Sequence, residues 1–392
     1  MKFGIFYEHQ LPRPWADGDE QRLYEEALDE IALADDLGID YAWEVEHHFL
    51  EEYSHSSAPE VFLAAAAERT EDIRLGHGIK LLPPAYNHPA RVAEQVATLD
   101  LVADGRVEFG TGESASTMEL EGFGVPREEK GAMWRESLGE ITDMMTMEPY
   151  PGSDGEHVAM PRRNVVPKPV QDPHPPLWVA CSGRSTIEEA ARLGLGVLSF
   201  DFASPEQAEE WVDTYYETLE AECEPIGRAV NPNFAVVTGF SCHEDEDVAW
   251  DRGAEGFAFF QYALAHYYGA GDHEPGETDV WEAFQEVGTE AVLEGNEGDG
   301  AIGTPDQIRE YLRGLEDAGV DQVIFVQQGG NNRHEHICES LELFAEEVMP
   351  AFHERDAEHV REKRAELAPH LEAAVVDRDG CAPGGDPPDV EP

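Results

Sequence analysis

The chain has 392 residues, and 83 Asp and Glu against 26 Lys and Arg give a formal net charge of -57. Because phosphate contacts require clustered Lys and Arg, this balance argues against a nucleic-acid-binding protein. The acidic residues are spread over nearly every segment, which predicts a halophilic protein adapted to concentrated salt, where screening weakens the repulsion among surface charges.

The sequence lacks the usual signs of secretion, membrane insertion and metal binding. Met1 leads directly into a strand-like run without an apolar signal segment, and no apolar run is long enough to span a bilayer. The 5 cysteines are widely spaced and contain no CxxC pair, so neither a disulfide framework nor a zinc site is predicted. We therefore expect a cytoplasmic protein without a metal site.

β-rich runs alternate with longer helical patterns along the chain. The predicted strands cover residues 2–7, 41–45, 73–82, 106–112, 176–181, 196–201, 234–242 and 321–327. Amphipathic helices are predicted over 19–38, 88–105 and 304–319, the last with Thr304 as N-cap and Pro305 in its first turn. This alternation predicts an α/β protein of parallel βαβ units. Its strand count and length favour a closed (β/α)8 TIM barrel over an open sheet.

Two segments depart from the simple repeat. An insertion over about residues 113–175 is rich in Pro and Gly near its end, and a second, over about 253–302, is aromatic and Gly-rich. The aromatic residues of the second insertion predict either a pocket or lid, or the packing of an extra helix pair. The predicted organisation is one barrel over 1–352, followed over 353–392 by a charged helix and a disordered acidic tail.

Polar residues follow the predicted strands at the end where a barrel of this kind carries its chemistry. His47 and His48 come directly after an apolar strand, a place where imidazole nitrogens without partners are awkward for packing. Tyr7-Glu8, Lys80 and Ser199-Asp201 hold equivalent positions after other strands. The pattern favours an active site over the alternative, in which one histidine is a hydrogen-bonded core residue and the other is exposed.

The segment "CSGRST" (181–186) after the fifth predicted strand predicts an anion site. A Gly-containing turn opens a helix, so free backbone N–H groups lie beside one hydroxyl and the guanidinium of Arg184. These residues are equally compatible with an ordinary helix cap beside a surface arginine.

In the third predicted strand, Gly78 interrupts a continuous run, which predicts a bulge or a close approach of the backbone to a ligand.

From Met1 to about Phe352 the chain resembles the bacterial-luciferase-like family of flavin-dependent oxidoreductases. "MKFGIFYEHQ" resembles the first strand of the family, "EHHF" its second-strand signature, and "HPARVAEQVATLDLVADGRVEFGTGES" its third helix and fourth strand. "VPKPVQDPHPPLWVACSG" and "GTPDQIREYLRGLEDAGVDQVIFVQQGG" resemble the approach to strand five and the last repeat. The resemblance implies the barrel predicted above, with a reduced flavin held at its mouth.

The resemblance also implies roles for individual residues. His47 falls on the catalytic histidine, which lies near the reactive flavin carbon and hydrogen-bonds to or protonates reduced oxygen, or acts as a base. His48 then orients His47 or lines the substrate side. A strained, often cis, peptide that supports the flavin ring falls on Gly78-Ile79.

The implied cofactor-binding residues lie on two further strands. The phosphate-binding turn falls on Ser182, Gly183, Arg184 and Thr186. Thr111 and Glu113, at the end of the fourth strand, complete the set, although many relatives carry an Arg where this chain has Glu113.

The resemblance implies a two-component FMN-dependent monooxygenase. Reduced FMN would come from a separate flavin reductase that binds transiently, and O2 would oxygenate a small apolar organic substrate. A homodimer is expected, as in many relatives. Two alternatives stay open: an F420-dependent oxidoreductase of the same fold that transfers hydride, and a non-catalytic flavin-binding protein, which the retained "EHHF" argues against.

Overall fold

The computed structural model describes residues 1–200, 204–269, 272–294 and 300–376, with the side chains of 372–376 left out. The predicted disordered tail from residue 377 onward, and Asp201 in the sixth predicted strand, lie outside the described residues. The strands are β1 (Lys2–Tyr7), β2 (Tyr41–Glu44), β3 (Arg74–His77), β4 (Lys80–Leu81), β5 (Val107–Gly112), β6 (Tyr150–Asp154), β7 (Ala159–Arg163), β8 (Leu177–Cys181), β9 (Gly196–Ser199), β10 (Phe234–Thr238), β11 (Phe240–Cys242), β12 (Ala301–Gly303) and β13 (Gln322–Gln327). The helices are α1 (Asp19–Leu37), α2 (Pro59–Ala67), α3 (Pro89–Val102), α4 (Thr117–Phe123), α5 (Lys130–Thr146), α6 (Arg184–Arg192), α7 (Pro205–Glu222), α8 (Glu246–Tyr268), α9 (Val280–Val287), α10 (Thr289–Leu293), α11 (Pro305–Asp317), α12 (His334–Glu347) and α13 (Pro350–Val376).

A closed ring of parallel strands forms the centre of the molecule. The sheet runs in the order β3-β2-β1-β13-β10-β9-β8-β5-β4, and an additional pairing of β3 with β5 closes it. Tyr7 of β1 pairs with Gln327 of β13 on one side and with Glu44 of β2 on the other. The carboxyl ends of these strands are therefore level, and the predicted TIM barrel is confirmed.

Alternate residues of each strand face the barrel interior and the surrounding helices, as the two-residue period of a strand requires. Phe6, Trp43 and Trp178 belong to the cluster that fills the interior. Phe3 and Phe109 belong to the larger cluster beneath the helices. The interior is therefore a packed core, and space for a ligand has to come from the barrel mouth and the loops around it.

The predicted third strand is divided by the glycine that interrupts its sequence. A Cβ atom at Gly78 would lie 3.1 Å from side-chain atoms of both Phe6 and Trp43, so only a small residue fits easily there. The Gly78 N–H donates to the Glu44 carbonyl oxygen, and the Ile79 carbonyl oxygen accepts from the Glu46 N–H. The break between β3 and β4 thus ties the third strand to the segment that carries the histidines.

The predicted seventh strand, over 234–242, was wrong in its length. β10 ends at Thr238, and β11 leaves the barrel to pair with β12. Gly239 permits the turn, because a Cβ there would lie 2.4 Å from the ring of Phe257 in α8.

The helices begin and end largely where the sequence signals place them. α1 ends at Gly38, which has a φ of 82°. α11 begins with a complete capping box between Thr304 and Gln307, with a proline in its first turn. None of the described helices combines the length and apolar character needed to cross a membrane.

The first predicted insertion contains α4, α5 and the antiparallel hairpin β6–β7, and the second contains most of α8 with α9, α10 and β12. The charged segment after residue 352 lies in α13. Lys363 of this helix pairs with Asp321, which precedes β13 and is 7% exposed. The Asp321 carboxylate also accepts from the Phe234 N–H at 2.8 Å, so α13 is joined to the base of the barrel.

Candidate active site

His47 lies just beyond β2 at the barrel mouth, within a cluster of acidic and phenolic side chains. Its Nδ1 is 3.0 Å from Oε1 of Glu119 in α4. Its Nε2 is 3.3 Å from the hydroxyl of Tyr268, the last residue of α8, and 3.6 Å from Oε2 of Glu8, just beyond β1. Both insertions therefore contribute a side chain to the histidine that the first two strands position.

The surroundings of His47 favour its charged form. Burial lowers the pKa of the imidazole, but the nearby carboxylates of Glu8 and Glu119, with that of Glu46, raise it to about 9 in total. Burial raises the pKa of Glu8 to about 7, although His47 and the hydrogen bond from Tyr53 oppose this shift. The carboxylates around His47 therefore favour the imidazolium, a form that can act as an acid.

Glu119 is held in place by donors on both carboxylate oxygens. Oε1 accepts from the His48 N–H at 2.9 Å as well as facing His47, and Oε2 accepts from the Ser114 hydroxyl at 2.6 Å. Its side chain is fully buried. A buried carboxylate with this many donors is a rigid partner for an imidazole.

The imidazole of His48 belongs to a different cluster from that of His47. Its Nε2 is 3.4 Å from Glu46 Oε1, and its ring packs on Phe123 at 4.9 Å and on Tyr86 at 6.3 Å between centroids. The expectation that His48 orients His47 is therefore wrong for its side chain, because Glu119 is the group bonded to His47. The backbone N–H of His48 also donates to Glu119, whereas the ring of His48 forms an aromatic wall beside the site.

Glu46 anchors the loop that carries both histidines. It accepts from the Leu81 N–H at 2.8 Å and from the Asn87 amide, and it pairs with Lys80 at 3.3 Å. Although burial opposes ionisation, the hydrogen bond from His48 and the charge of Lys80 lower the pKa of Glu46 to about 2. An ionised carboxylate thus fixes the end of β2 to the end of the third strand.

The predicted anion site lies at the start of α6, at the same carboxyl face of the barrel as His47. The Ser182 N–H donates to Thr186 Oγ1 at 3.2 Å, and that hydroxyl donates to the Gly183 carbonyl oxygen at 2.8 Å. No side chain caps α6 at Gly183. The guanidinium of Arg184 is largely exposed and pairs with Glu188 at 3.2 Å and Glu210 at 3.3 Å.

The start of α6 fits a phosphate group. Its first backbone N–H groups have no side-chain cap, and the helix dipole favours negative charge there. The carboxylates that hold Arg184 are exposed or half-buried, so the guanidinium can exchange them for an anion at little cost. The chemistry of Ser182, Gly183, Arg184 and Thr186 is therefore compatible with the predicted phosphate site of a flavin nucleotide.

The two residues predicted at the end of the fourth strand occupy different environments. The Thr111 hydroxyl donates to the Trp178 carbonyl oxygen at 2.9 Å and accepts from the Trp134 indole N–H at 3.1 Å. Its side chain is buried and already bonded, and the binding of the cofactor by Thr111 stays a prediction. Glu113 forms an ion pair with Lys130 at the start of α5, so a cation stands next to the carboxylate that replaces the expected Arg.

The peptide expected to be strained at Gly78-Ile79 is not cis. The four cis peptides among the described residues all precede proline. The hydrogen bonds of Gly78 N–H and Ile79 carbonyl oxygen to the segment after β2 are compatible with a trans peptide at the break between β3 and β4. The Ile79 side chain is 9% exposed and contacts Gly112, where a Cβ would lie 2.6 Å from its Cδ1.

The sequence did not indicate Glu119 or Lys130, and it indicated Tyr268 only as one of the aromatic residues of the second insertion that could form a pocket or lid. The one available signal for Glu119 was misleading, because Ser116 and Glu119 have the spacing of a capping box at the start of α4. Ser116 makes no cap hydrogen bond in the structure, and Glu119 binds His47. Most of the aromatic residues of the second insertion pack in the core, and Tyr268 is the member that reaches His47.

The closed barrel, with this polar cluster at the carboxyl ends of its strands, is typical of α/β-barrel enzymes. The chain belongs to the luciferase-like monooxygenase family, whose model matches residues 1–322. The expected family is therefore confirmed, and with it the assignment to flavin-dependent monooxygenases.

The described residues contain no group of three or more His, Cys, Asp or Glu side chains arranged to hold a metal ion.

Two similar proteins cover nearly the whole chain. The oxygenase component of a flavin-dependent trigonelline monooxygenase from Acinetobacter baylyi is 26% identical over 366 residues, which are 90% of this chain and 96% of that protein. The crystal structure of monooxygenase RslO1 from Streptomyces bottropensis is 27% identical, with a TM-score of 0.74, and covers 90% of this chain and 100% of that one.

Two further structures, both under 25% identical, show that the fold is shared. The oxygenating constituent of 3,6-diketocamphane monooxygenase from Pseudomonas putida, in complex with FMN, has 21% identity and a TM-score of 0.69 over 89% of this chain and 98% of that one. An F420-dependent tetrahydromethanopterin reductase from Methanopyrus kandleri has 23% identity and a TM-score of 0.63 over 90% and 99%.

Proposed function

We propose that the chain is the oxygenase of a two-component system that uses reduced FMN and O2 to oxygenate a small apolar organic substrate. The observation that carries the proposal is the placement of the carboxylate-bound His47 and the uncapped start of α6 at the same carboxyl face of the barrel. The similar protein from Acinetobacter baylyi is named an oxygenase component, which supports a separate flavin reductase as transient partner.

In this proposal, the flavin supplies the electrons that activate oxygen. The protein binds and orients the cofactor and the substrate, and it supplies a proton. Ser182, Gly183, Arg184 and Thr186 hold the phosphate through backbone N–H groups, a hydroxyl and a guanidinium. The backbone at Gly78-Ile79 supports the ring system. His47 holds a proton on Nε2, the nitrogen that faces Tyr268 and Glu8, and donates it to reduced oxygen during oxygen transfer.

The rings near His47 support an apolar or aromatic substrate. Tyr53 lies 5.6 Å from the His47 ring and 5.8 Å from Phe260, centroid to centroid, and Tyr268 lies 6.1 Å from His47. His48 adds the wall formed with Phe123 and Tyr86. These faces suit a flat or aliphatic molecule that the acidic exterior of the protein would not retain.

The test begins with the cofactor. Purified protein is titrated separately with FMN and with F420, and binding is followed by the absorption and fluorescence of each. We expect FMN to bind; binding of F420 alone would replace the proposal with the hydride-transferring alternative. Gel filtration in high salt would test the homodimer that we propose for this chain.

The second part tests catalysis with a pair of neighbouring histidines. Reduced FMN, O2 and a panel of apolar compounds are incubated with the protein, and products are identified by mass spectrometry. His47→Gln should lower product formation by about 100- to 10,000-fold, the usual contribution of a general acid. His48→Gln, the matched control, should change it far less. Unchanged turnover in His47→Gln would favour a non-catalytic flavin-binding protein.

A further inference from the structure

The two carboxylates beside His47 make unequal contacts with its ring. Glu119 Oε1 lies 3.0 Å from Nδ1, within hydrogen-bond distance. Glu8 Oε2 lies 3.6 Å from Nε2, beyond it, and has no hydrogen-bond partner among the described residues. Both residues are buried. One carboxylate is therefore bonded to the imidazole, whereas the other acts on it through charge alone.

We propose that Glu119 is a positioning residue that keeps the proton of neutral His47 on Nδ1. Nε2 is then always the nitrogen that is free to exchange a proton on the reaction side. Glu8, in contrast, adds negative charge that keeps the ring protonated without fixing its tautomer. The catalytic consequence rests on the proposed function, but the tautomer is a property of the protein without flavin.

The contacts of Glu119 explain why it can impose one tautomer. An ionised carboxylate only accepts hydrogen bonds, so the nitrogen that faces it must carry the hydrogen. Oε1 already receives the His48 N–H, and the Ser114 hydroxyl occupies Oε2. These donors fix both oxygens. The carboxylate therefore cannot turn away from Nδ1 without losing a hydrogen bond.

The other groups that face His47 are compatible with this assignment. The Tyr268 hydroxyl, from α8, lies 3.3 Å from Nε2 and can donate to that nitrogen when the ring is neutral. Tyr53 packs at 5.6 Å between ring centroids and donates to Glu8 Oε1 at 3.0 Å. Glu46, on the same loop, adds negative charge. The Nε2 side is thus the side on which a proton can leave the ring.

The experiment separates charge from tautomer with three variants. Glu8→Gln and Glu119→Gln each remove one buried negative charge, and the amide oxygen of the second can still accept from Nδ1. Glu119→Leu removes both charge and acceptor. Selective 15N labelling of histidine gives the tautomer and pKa of each ring by NMR in flavin-free protein, with the His47 signal assigned from His47→Gln.

We expect the wild type, Glu8→Gln and Glu119→Gln to show the Nδ1–H tautomer at high pH. Glu119→Leu should show a mixture or the Nε2–H form. All three variants should lower the pKa of His47, by about 1 to 3 units for loss of a close opposite charge. If Glu119→Leu does not fold, the wild type and Glu119→Gln still test the proposal, because both keep an oxygen that accepts from Nδ1 and must therefore show the Nδ1–H tautomer.

Two results would overturn the proposal. One is a wild-type tautomer in Glu119→Leu or, if that variant does not fold, an Nε2–H tautomer in the wild type or in Glu119→Gln; the other is a Glu8→Gln variant that loses the Nδ1–H tautomer. The NMR signals are read without cofactor, so a protein that binds no FMN contradicts the proposed function and leaves this test intact. In a protein that does turn over, Glu119→Leu should lower kcat without a matching rise in KM for reduced FMN.

Discussion

Substitution of Arg184 tests whether the start of α6 holds the phosphate of the cofactor. A hydrogen bond to a charged group contributes about 1.5–3 kcal/mol, and because the Arg184 side chain is 62% exposed, we take the lower part of that range. Arg184→Ala should then lose about 1.5–2 kcal/mol of binding, which raises the Kd for FMN about 10- to 30-fold. Its exposed ion pairs stabilise the fold little, so the unfolding midpoint should hardly change.

Arg192→Ala is the matched control for this substitution. Arg192 is the last residue of the same helix and also pairs with Glu188, at 3.3 Å, but lies at the opposite end of α6. Fluorescence titration of FMN at one fixed salt concentration measures both variants under equal screening. Wild-type affinity in Arg184→Ala, or an equal loss in Arg192→Ala, would refute the assignment of the phosphate site.

Three further outcomes are expected. Glu113→Gln should tighten FMN binding several-fold in the same titration, because it frees the positive charge of Lys130 beside a position that the resemblance assigns to the cofactor; weaker binding would instead make Glu113 a direct ligand. Asp321→Asn should lower the free energy of unfolding by about 3–5 kcal/mol, because it leaves Lys363 without its buried partner. Urea unfolding would measure this loss, with the exposed Asp317→Asn as control. Although burial opposes it, the charge of Lys363 helps lower the pKa of Asp321 from 3.8 to about 2, so this stabilisation is complete above the unfolded pKa and disappears as the pH falls through about 2. Finally, the net charge of -57 predicts that thermal stability rises when KCl increases from about 0.1 M to about 1 M, as the Debye length shrinks from about 10 Å to about 3 Å; unchanged or lower stability would contradict adaptation to salt.

The barrel could be predicted because its signals are local and repeated. Each strand is a short apolar run bounded by turn residues, and helices such as α11 carry their own caps. The error at residues 234–242 had a non-local cause. The chain turns away at Gly239, where the ring of Phe257 from a later helix packs against it. The residues of 234–242 do not indicate this contact.

The histidine loop and the α6 turn could be placed at one face for a similar reason. Both directly follow parallel strands, and the carboxyl ends of such strands meet at the same end of a barrel. The role of His48 could not be predicted in this way. Adjacent side chains in a loop can point to different neighbours, and its imidazole binds Glu46 and packs on the ring of Phe123.

By itself, the sequence determined the alternation of strands and helices, the end of the barrel that carries the chemistry, and the family to which the chain belongs. Only the tertiary structure decided which groups control His47. Glu119 is 72 residues away along the chain and Tyr268 is 221 residues away. A pattern of local spacing contains no information about contacts at such separations, which arise when the two insertions pack over the barrel mouth and bring their side chains to one imidazole.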